Sequence, residues 1–363
     1  MQITEMLDSD WESFKNFAKK NLTSSFVANR TFNEFWFRRK DGTWSIQLAK
    51  KNDGTISAIN MLIETYGKIC KKVSPFTWTS AAYADSEGRK EGIIGLMLFN
   101  LHRNLPFIGS ACANENSLPI NEKLGISIPN FKMRRFIYVH SFKSLKIVKS
   151  QYESTVKKHI KFVKYNLDRS IIKKWSKSIP QDINKLWLVF SKKLECCIQK
   201  NFTYLVLRYV KSPFQNYDIL TFRDKKNNLL GVSIIRFQKT PRGCCSRIVD
   251  FMSIPNFEFK IWRETLKECE KKNVLFTDFI VMGTFQDQHL LKAGFQLASV
   301  INRFDEIPNL LSPIEHRNWS YTFHISGYLP KKLKGWKYRN KIWFTKGDGD
   351  RDWPTPYDIK QNI

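Results

Sequence analysis

Hydrophobic residues recur along this chain with two different spacings. Trp11, Phe14 and Phe17 follow one another at intervals of three, which is typical of one face of a helix. The motif Ser9-x-x-Glu12 directly before them has the pattern of a helix capping box. The stretch Trp44–Ala49 instead alternates between apolar and polar residues, as a half-buried strand does. Helices and strands therefore alternate in one chain, and we expect an α/β protein.

The same reading predicts a complete set of elements up to residue 140. A turn signal at Asn52-Asp53-Gly54 separates two of the strands and indicates a hairpin. An aromatic stretch occupies residues 32–37. The predicted elements are a helix at 11–20, strands at 44–49, 55–63 and 76–84, a helix at 92–102, a strand at 105–113, a helix at 118–124 and a final strand at 135–139.

The second half of the chain repeats this order. Tyr204–Tyr209 resembles the segment around Phe35–Arg38, and Gly294 follows a helix as Gly125 does. The predicted elements are helices at 183–199, 259–270 and 289–293 and strands at 217–222, 229–237, 248–251 and 274–281. The glycine pair is 169 residues apart, and Arg38 and Arg208 are 170 apart. So long a period indicates duplicated domains rather than a solenoid.

A chain of 363 residues also suits two domains better than one core. We expect a first domain at 1–140, a connector at 141–180, a second domain at 181–305 and a C-terminal extension at 306–363. Within 141–177, Lys and Arg outnumber Asp and Glu by eleven to two. Apolar residues step by three or four through this segment, at Tyr152, Val156, Ile160, Val163, Leu167, Ile171 and Trp175. This pattern predicts one or two amphipathic helices with a basic outer face, which would either pack on a domain or lie on an anionic membrane or nucleic acid.

Composition narrows the class of protein. Hydrophobic residues make up 42% of the chain, which excludes a disordered protein, and the net charge of +27 favours polyanionic partners. A Lys-rich proteome would produce the same charge without a nucleic-acid role. The longest apolar run is too short to span a membrane, and Met1–Glu12 carries no signal-peptide pattern. We therefore expect a cytoplasmic protein with no transmembrane segment.

The spacings of the cysteines and aspartates do not match a known metal-binding motif. The seven cysteines are odd in number and contain no CxxC, so we expect reduced thiols rather than disulfides or a zinc site. Near the C-terminus, Asp348, Asp350 and Asp352 alternate as calcium ligands do. Position 12 of that loop is Ile359 rather than Glu, so we interpret the segment as a tight acidic turn without metal.

One segment has the chemistry of an anion site. A predicted strand ends at Ala84, and Arg89, Lys90 and Gly92 follow before the next helix begins. The first N–H groups of a helix lack partners and the helix dipole is positive there, while glycine lets the backbone approach a phosphate. This arrangement predicts a pyrophosphate site.

These residues also resemble a known motif. Arg89-x-x-Gly92 is similar to the R/Q-x-x-G-x-G/A acetyl-CoA motif of the GNAT acetyltransferases, and Asn121-Glu-Lys-Leu-Gly125-Ile126 is similar to a later segment of that family. The resemblance covers most of residues 30–140, with a fainter copy over 200–300. It implies two tandem GNAT-like domains, each a mixed, mostly antiparallel sheet flanked by helices. It also implies acetyl-CoA as acyl donor, with a binding site formed by Ala82, Ala84, Arg89, Lys90, Gly92, Ile93, Ile94, Gly95, Asn114 and Asn121.

The chain departs from that pattern at two positions. Ile94 stands where the family has Gly or Ala and could crowd a pyrophosphate, and Asn121 stands where the family often has a general-acid Tyr. Tyr138 is therefore a candidate acid and Glu64 a candidate base, and neither is selected by any spacing. Other polar groups expected near the cleft are Asp85, Glu87 and His140. The second domain has no phosphate loop at the matching place.

Three functions remain open. The first is an acyl-CoA-dependent N-acyltransferase whose small-molecule amine acceptor is an amino sugar or a phosphorylated or nucleotide-linked amino sugar. That acceptor rests on the likeness of Lys346–Asp350 to the C-termini of GNAT-like proteins linked to surface-polysaccharide biosynthesis. The second is a Fem-type transferase that uses aminoacyl-tRNA, which the charge favours. The third is a non-catalytic GNAT-like protein that binds an anionic membrane or nucleic acid.

Overall fold

A computed structural model describes residues 1–22, 25–105, 107–111, 118–123, 134–141, 157, 168–240, 243–297, 323–327, 336–349 and 352. These residues form two compact units. Unit 1 contains the described residues up to 123 together with 323–327. Unit 2 contains the described residues from 134 to 297 together with 336–349 and 352. Among the described residues, no helix combines the length and apolar character that crossing a bilayer requires.

The strands and helices follow one another closely in both units. The strands are β1 (Gln2–Glu5), β2 (Ile46–Lys50), β3 (Ile56–Ile69), β4 (Lys72–Ala84), β5 (Phe107–Ala111), β6 (Arg134–Val139), β7 (Ile172–Ser176), β8 (Cys196–Ile198), β9 (Asp218–Arg223), β10 (Leu229–Thr240), β11 (Gly243–Ser253), β12 (Phe276–Met282), β13 (Gln296–Leu297), β14 (Phe323–Gly327) and β15 (Ile342–Thr345). The helices are α1 (Trp11–Asn21), α2 (Arg30–Phe37), α3 (Ser86–Lys90), α4 (Ile93–Asn104), α5 (Leu118–Lys123), α6 (Ile183–Ser191), α7 (Phe202–Leu205), α8 (Glu258–Glu270) and α9 (Asp287–Lys292).

Unit 1 is built on a mixed sheet in the order β1-β2-β3-β4-β5-β14. Neighbouring strands are antiparallel except for β4 and β5, which are parallel. The β2–β3 hairpin turns at Gly54, whose φ of +84° is easy only for glycine. Helix α4 covers this sheet through Ile93 and Met97, which pack on small residues of β2, β3 and β4.

Helix α1 has the predicted span and buries Trp11, Phe14 and Phe17. The predicted capping box does not form. Asp10 occupies the position before the helix, and its carboxylate accepts instead from the ammonium of Lys50 and the Leu7 N–H. The Glu12 carboxylate pairs with Lys15 one turn later. The aromatic stretch that follows belongs to helix α2, which the Asn29 side chain caps by accepting from the Phe32 N–H.

Unit 2 repeats this plan around a larger hydrophobic core. Its sheet runs β7-β9-β10-β11-β12, with β6 and β15 on β12, β13 on β6 and β8 on β15. The pairs β11–β12 and β8–β15 are parallel, and the others are antiparallel. Helix α8 packs on the sheet, where the Trp262 ring stacks on Phe251 with ring centroids 3.6 Å apart. Both sheets are therefore mixed and mostly antiparallel with helices against them, as the sequence predicted.

Two strands lie where the sequence reading did not place them. The predicted final strand of the first half exists as β6, but it pairs with β12 of unit 2, with Phe136 opposite Phe279. The edge of unit 1 is instead completed by β14, whose Ile325 lies opposite Gly109 of β5. Local apolar patterning predicts that a segment is a strand. It does not say which of two similar sheets the strand joins.

The basic segment 141–177 differs from its predicted helix at its end. Residues 172–176 form strand β7, which pairs with β9 and lays the Trp175 ring against Phe237. The free edge of β9 offers hydrogen-bond partners that override the helical spacing of Ile171 and Trp175. The predicted helical residues Tyr152, Val156, Ile160, Val163 and Leu167 lie outside the described residues. Helix α6 is also shorter than predicted, because β8 begins at Cys196.

Candidate functional site

The first feature of the candidate site is a divergence between the parallel strands β4 and β5 of unit 1. Their pairing covers only Thr77 to Thr79, opposite Ile108 to Ser110. Strand β4 continues to Ala84 along its other neighbour, β3. The register of β3 and β4 shifts between Asn60, opposite Ala82, and Leu62, opposite Thr79, so β4 carries a bulge just past the last β5 pair. Beyond Thr79, the described part of β5 does not pair with β4, so this stretch of β4 has β3 as its strand neighbour among the described residues. We interpret the side of β4 that faces away from β3 as a candidate groove.

The strand β4 leads into a turn that Asp85 organises. The Asp85 carboxylate accepts from the Gly88 N–H at 2.8 Å, which caps α3, and from the Ser57 hydroxyl at 2.6 Å. Burial opposes ionisation, but these hydrogen bonds and the nearby Lys51 hold the pKa of Asp85 below its usual value. Gly88 is buried against Ser57, where an added Cβ would lie 2.9 Å from the Ser57 Oγ. The turn is thus fixed to β3.

Helix α4 begins at Gly92, directly after this turn. Gly92 has a φ of +66°, and no atom lies within 4 Å of the place where its Cβ would be. Its carbonyl accepts from Leu96, so the N–H groups of Ile93, Ile94 and Gly95 form the first turn and point out of the helix. An exposed helix start with a left-handed glycine presents a positive, uncrowded backbone to an anion.

The predicted donor-site residues fall into three groups. Ala82, Arg89, Lys90 and Gly92 are exposed, Ile94 and Gly95 are half-buried, and Ala84 and Ile93 are buried. Arg89 turns back toward β4, where its Nε donates to the Asp85 carbonyl at 3.3 Å and its guanidinium lies over the Tyr83 ring. Asn114 lies outside the described residues, and Asn121 belongs to α5 without a described side chain.

Ile94 does not point toward the helix start. Its side chain packs against two apolar clusters of unit 1, one around Ala84 and Met97 and the other around Leu62 and Leu101. At Gly95 an added Cβ would make only an ordinary contact of 3.9 Å with Ile120. The branched residue at the departing position of the motif is therefore a core residue, and the anion-facing surface is backbone.

Glu64 is held by an arginine rather than by the groove. Arg39 donates to both Glu64 oxygens, with distances from 2.6 to 3.0 Å, and also to Glu5. The hydrogen bond to Glu64 is the largest cause of the raised pKa of Arg39. Because Arg39 donates to both of its oxygens, this geometry favours a structural role for Glu64.

Tyr138 belongs to unit 2, whereas the strands β4 and β5 belong to unit 1. It lies on β6 in a buried position, with its ring edge-on to His140 and to Phe295. The His140 Nε2 lies 2.7 Å from the Thr277 hydroxyl, and burial lowers the pKa of His140 to about 4. Both side chains are part of the core of unit 2.

Unit 2 has a matching divergence, and its own chain fills it. The parallel strands β11 and β12 pair only from Ser246 to Ile248, although both strands continue further. Residues 345–348, at the end of β15 and just beyond it, lie between these two strands. Thr345, the last residue of β15, pairs with Val281 of β12. An added Cβ on Gly347 would lie 2.9 Å from the Val249 carbonyl of β11. The Arg208 Nε donates to the Gly347 carbonyl at 2.7 Å. The groove of unit 2 is thus occupied by a tight turn.

Solved structures with a similar fold are acyltransferases. A conserved protein of Enterococcus faecalis V583, described as a probable N-acyltransferase, matches at a TM-score of 0.57 and 11% identity, covering 82% of this chain and 69% of that one. A GCN5-related N-acetyltransferase of Anabaena variabilis matches at 0.53 and 10%, covering 77% and 65%, just under two thirds of its length. Saccharomyces cerevisiae N-myristoyltransferase with bound myristoyl-CoA matches at 0.50 and 10%, covering 90% and 82%.

The fold is GNAT-like. No protein-family model matches the sequence, and no curated protein matches it either. At about one tenth identity the likeness extends to the fold and not to the chemistry. The structure search nevertheless supports the sequence-based expectation of a mixed GNAT-like sheet flanked by helices.

The GNAT-like unit 2 contains a buried charge network that the sequence reading missed. The Lys200 ammonium is fully buried and donates to Asp250 at 2.6 Å, Asp348 at 2.9 Å and the Thr345 hydroxyl at 3.1 Å. Burial works against the charge of Lys200, but the two carboxylates raise its pKa above the usual value. The acidic segment near the C-terminus, interpreted from sequence as a tight acidic turn, contributes the buried Asp348 to this network. The only available signal was the run of charged residues itself, which is usually a solvated surface.

Proposed function

We propose that the protein is an acyl-CoA-dependent N-acyltransferase whose donor binds in unit 1. The observation that carries the proposal is the combination of the β4–β5 groove with the helix start at Gly92. In this proposal the groove runs along β4 from Ser80 to Ala84, beyond the last described pair with β5, and the first N–H groups of α4 lie at the end of that strand. An extended thioester chain along β4 with its pyrophosphate at α4 would use both features.

In this proposal the protein contributes position and polarity more than covalent chemistry. An acceptor amine attacks the thioester carbonyl, the C–S bond breaks, and the amine proton is lost while CoA leaves as a thiol. Backbone N–H groups beside the bulge of β4 would polarise the carbonyl oxygen. Since Glu64 is paired with Arg39 and Tyr138 lies in unit 2, we expect the proton to leave through water or through a group brought by the acceptor.

A short acyl group suits this groove best, and we propose acetyl-CoA as the donor. The buried rings of Phe76 and Trp78 cover Gly109 where β4 and β5 still pair, and an added Cβ on that glycine would lie 2.7 Å from both rings. The closed end of the groove is therefore packed with aromatic side chains. An acetyl group needs no deeper space, whereas a long acyl chain would have to displace them.

The acceptor follows only from chemistry and charge. We propose a small amine, with an amino sugar or a nucleotide-linked or other phosphorylated amino sugar as first choice, because the net charge of +27 attracts phosphorylated molecules. The same charge favours aminoacyl-tRNA as a second candidate substrate, in a Fem-type reaction. Binding that weakens steeply with salt and copurifying RNA would support this second candidate.

The decisive experiment compares two isosteric variants at the helix start. Gly92→Asp adds a negative charge beside the first turn of α4, whereas Gly92→Asn has the same size and tolerates the left-handed backbone. Titration calorimetry should show roughly tenfold or greater loss of acetyl-CoA affinity in Gly92→Asp and a much smaller change in Gly92→Asn. Myristoyl-CoA should bind the wild type no more tightly than free CoA.

Thermal unfolding of both variants serves as the folding control. Equal acetyl-CoA affinities in the Asp and Asn variants would place the pyrophosphate elsewhere. Wild-type binding that ATP matches and that salt abolishes would show a basic surface only, and it would remove the proposed function. A marked preference for myristoyl-CoA would instead overturn the short-chain donor and leave the N-acyltransferase proposal standing.

A further inference from the structure

A second buried cluster in unit 2 contains more positive than negative charge. Its members are all at most 4% exposed, and none of them lies in the groove of unit 1. They are the cations Arg135, Arg236, Arg247 and Lys346 and the carboxylates Asp278 and Asp352. Among the described residues of this cluster, four cations face two carboxylates. Surplus charge in a dry interior is costly unless an opposite charge accompanies it.

The two carboxylates are already used by the three arginines. Asp278 accepts from the Arg135 Nε at 3.0 Å and from Arg247 at 3.0 and 3.1 Å. Asp352 accepts from the Arg236 Nη1 at 3.0 Å and from the Tyr217 hydroxyl at 2.6 Å. Charge-assisted hydrogen bonds of this kind hold both carboxylates ionised, and the pKa of each is below its usual value although burial opposes this.

Two donors of this cluster remain without an acceptor. Among the described residues, the Lys346 Nζ and the Arg247 Nη1 are buried and have no hydrogen-bond partner. The distance from the Arg247 Nη1 to the Asp352 Oδ1 is 3.9 Å, which is too long for a hydrogen bond. Arg247 is also the charge that most strongly disfavours a proton on Lys346, so the two unpaired groups lie close enough to repel each other.

The nearby Lys200 shows what a complete set of partners looks like in this unit. Its ammonium is equally buried, and it has two carboxylates and one hydroxyl within 3.1 Å. Lys346 follows Thr345 directly, and its ammonium has no hydrogen-bond partner among the described residues. Burial, and after it the charge of Arg247, keep the pKa of Lys346 well below its usual value. An acceptor with negative charge is what this position lacks.

We propose that unit 2 binds a small oxyanion between Lys346 and Arg247. A phosphate, sulfate or carboxylate group has oxygen acceptors for both unpaired donors and offsets the surplus charge. The site is independent of the acyl-CoA groove, since every residue named for it belongs to unit 2. It would couple the stability of unit 2 to the concentration of an anion.

The first test measures thermal stability of the full-length protein dialysed into chloride. Inorganic phosphate, sulfate and acetate are then compared with chloride at matched ionic strength. We expect a saturable rise in Tm of roughly 3 °C with at least one oxyanion. The variants are Lys346→Met, which should lose the rise, and the control Lys225→Met, which removes an equal charge from an exposed turn and should keep it. A rise in Tm with phosphate or sulfate but not with acetate would indicate a site for a tetrahedral anion. A rise with acetate alone would indicate a site for a carboxylate.

A second test locates the anion without any variant. Crystals of the wild type soaked in selenate should show an anomalous peak between the Lys346 Nζ and the Arg247 Nη1. Peaks confined to surface lysines would overturn the proposal, as would an equal Tm response to chloride. A saturable oxyanion response that survives in Lys346→Met would likewise assign the binding to another place on this basic protein.

Discussion

Asp348 shares a single ammonium with a second carboxylate in the interior of unit 2. Lys200 donates to both Asp250 and Asp348, and Asp250 also accepts from the Tyr209 hydroxyl at 3.0 Å. Burial, only partly offset by Lys200, raises the pKa of Asp348 to about 6, and the neighbouring Asp250 adds to the increase. Asp348 therefore holds a proton more readily than it would in water.

This arrangement predicts a pH dependence of stability. Because the folded pKa of Asp348 lies above its unfolded value, the folded state binds more protons between about pH 4 and pH 6. The contribution of Asp348 to the free energy of unfolding should therefore fall as the pH rises through that window, whereas the contribution of His140, whose pKa is lowered to about 4, rises. The difference in free energy of unfolding between the wild type and Asp348→Asn isolates the Asp348 contribution and should decrease from about pH 4 to pH 6, as measured by urea unfolding at a series of pH values.

The matched control is Asp218→Asn, which removes a carboxylate that pairs with the exposed Lys177 at the surface. Its stability curve should run parallel to that of the wild type between about pH 4 and pH 6. Parallel curves for the wild type and Asp348→Asn would mean that Asp348 stays ionised through the window. The pairing with Lys200 would then dominate over burial.

At the scale of single elements, helix α4 combines two tasks on different faces. Its first turn presents backbone N–H groups, while Ile93, Ile94 and Met97 pack on the sheet of unit 1. The sequence predicted the helix and its position after a strand. It could not tell the direction of the Ile94 side chain, because a motif position says nothing about the rotation of the helix on the sheet.

The direction of Ile94 gives a prediction that separates packing from binding. Ile94→Ala should lower the free energy of unfolding by about 1–3 kcal/mol, because it removes a half-buried side chain that joins two apolar clusters. Acetyl-CoA affinity, measured by calorimetry, should change less than about twofold. An affinity gain of tenfold or more would show that the isoleucine does crowd the pyrophosphate.

Elements with a strong local pattern were predicted well from sequence. Helix α1 and the β2–β3 hairpin follow from regular spacing and from a glycine at the turn. The capping box at Ser9 failed because Asp10 binds Lys50 from a distant strand. Strand β7 was read as helix because its partner β9 is remote in sequence. In both cases a contact made by the folded chain overrides the local preference.

At the scale of the whole molecule, the repeat of about 170 residues was the most informative feature of the sequence. It predicted two similar halves, and each unit contains one parallel strand pair that diverges, β4–β5 and β11–β12. The sequence could not predict which strand lies at the edge of each sheet, since β14 completes unit 1 from near the C-terminus. It could not predict the position of the acidic C-terminal turn either, because only the folded chain shows this turn lying between β11 and β12.

The different contents of the two grooves lead to a stoichiometry. In unit 2, Gly347 is so closely packed that an added Cβ would lie 2.0 Å from the Tyr209 hydroxyl. Lys200 and Arg208 hold the same turn through Asp348 and the Gly347 carbonyl. Displacing the turn would leave several buried charges without partners, a cost that the uncharged thioester arm of acetyl-CoA would not offset. We therefore expect one acyl-CoA site per chain, in unit 1.

Titration calorimetry with acetyl-CoA should accordingly give one site per wild-type chain, and this site should be weakened roughly tenfold or more in Gly92→Asp. Gly92→Asn, with the same shape and no charge, should keep the single site. Two sites in the wild type would show that the turn at 345–348 leaves the groove of unit 2, whereas a single full-affinity site in Gly92→Asp would place the pyrophosphate elsewhere than at Gly92. Amide hydrogen exchange distinguishes these outcomes, because the hydrogen bond from the Thr345 N–H to Asp348, 2.7 Å long, protects that amide only while the turn is in place. We expect one site per chain and a protection of the Thr345 amide that acetyl-CoA does not change. This result follows if unit 1 binds the donor while the groove of unit 2 stays filled by its own chain.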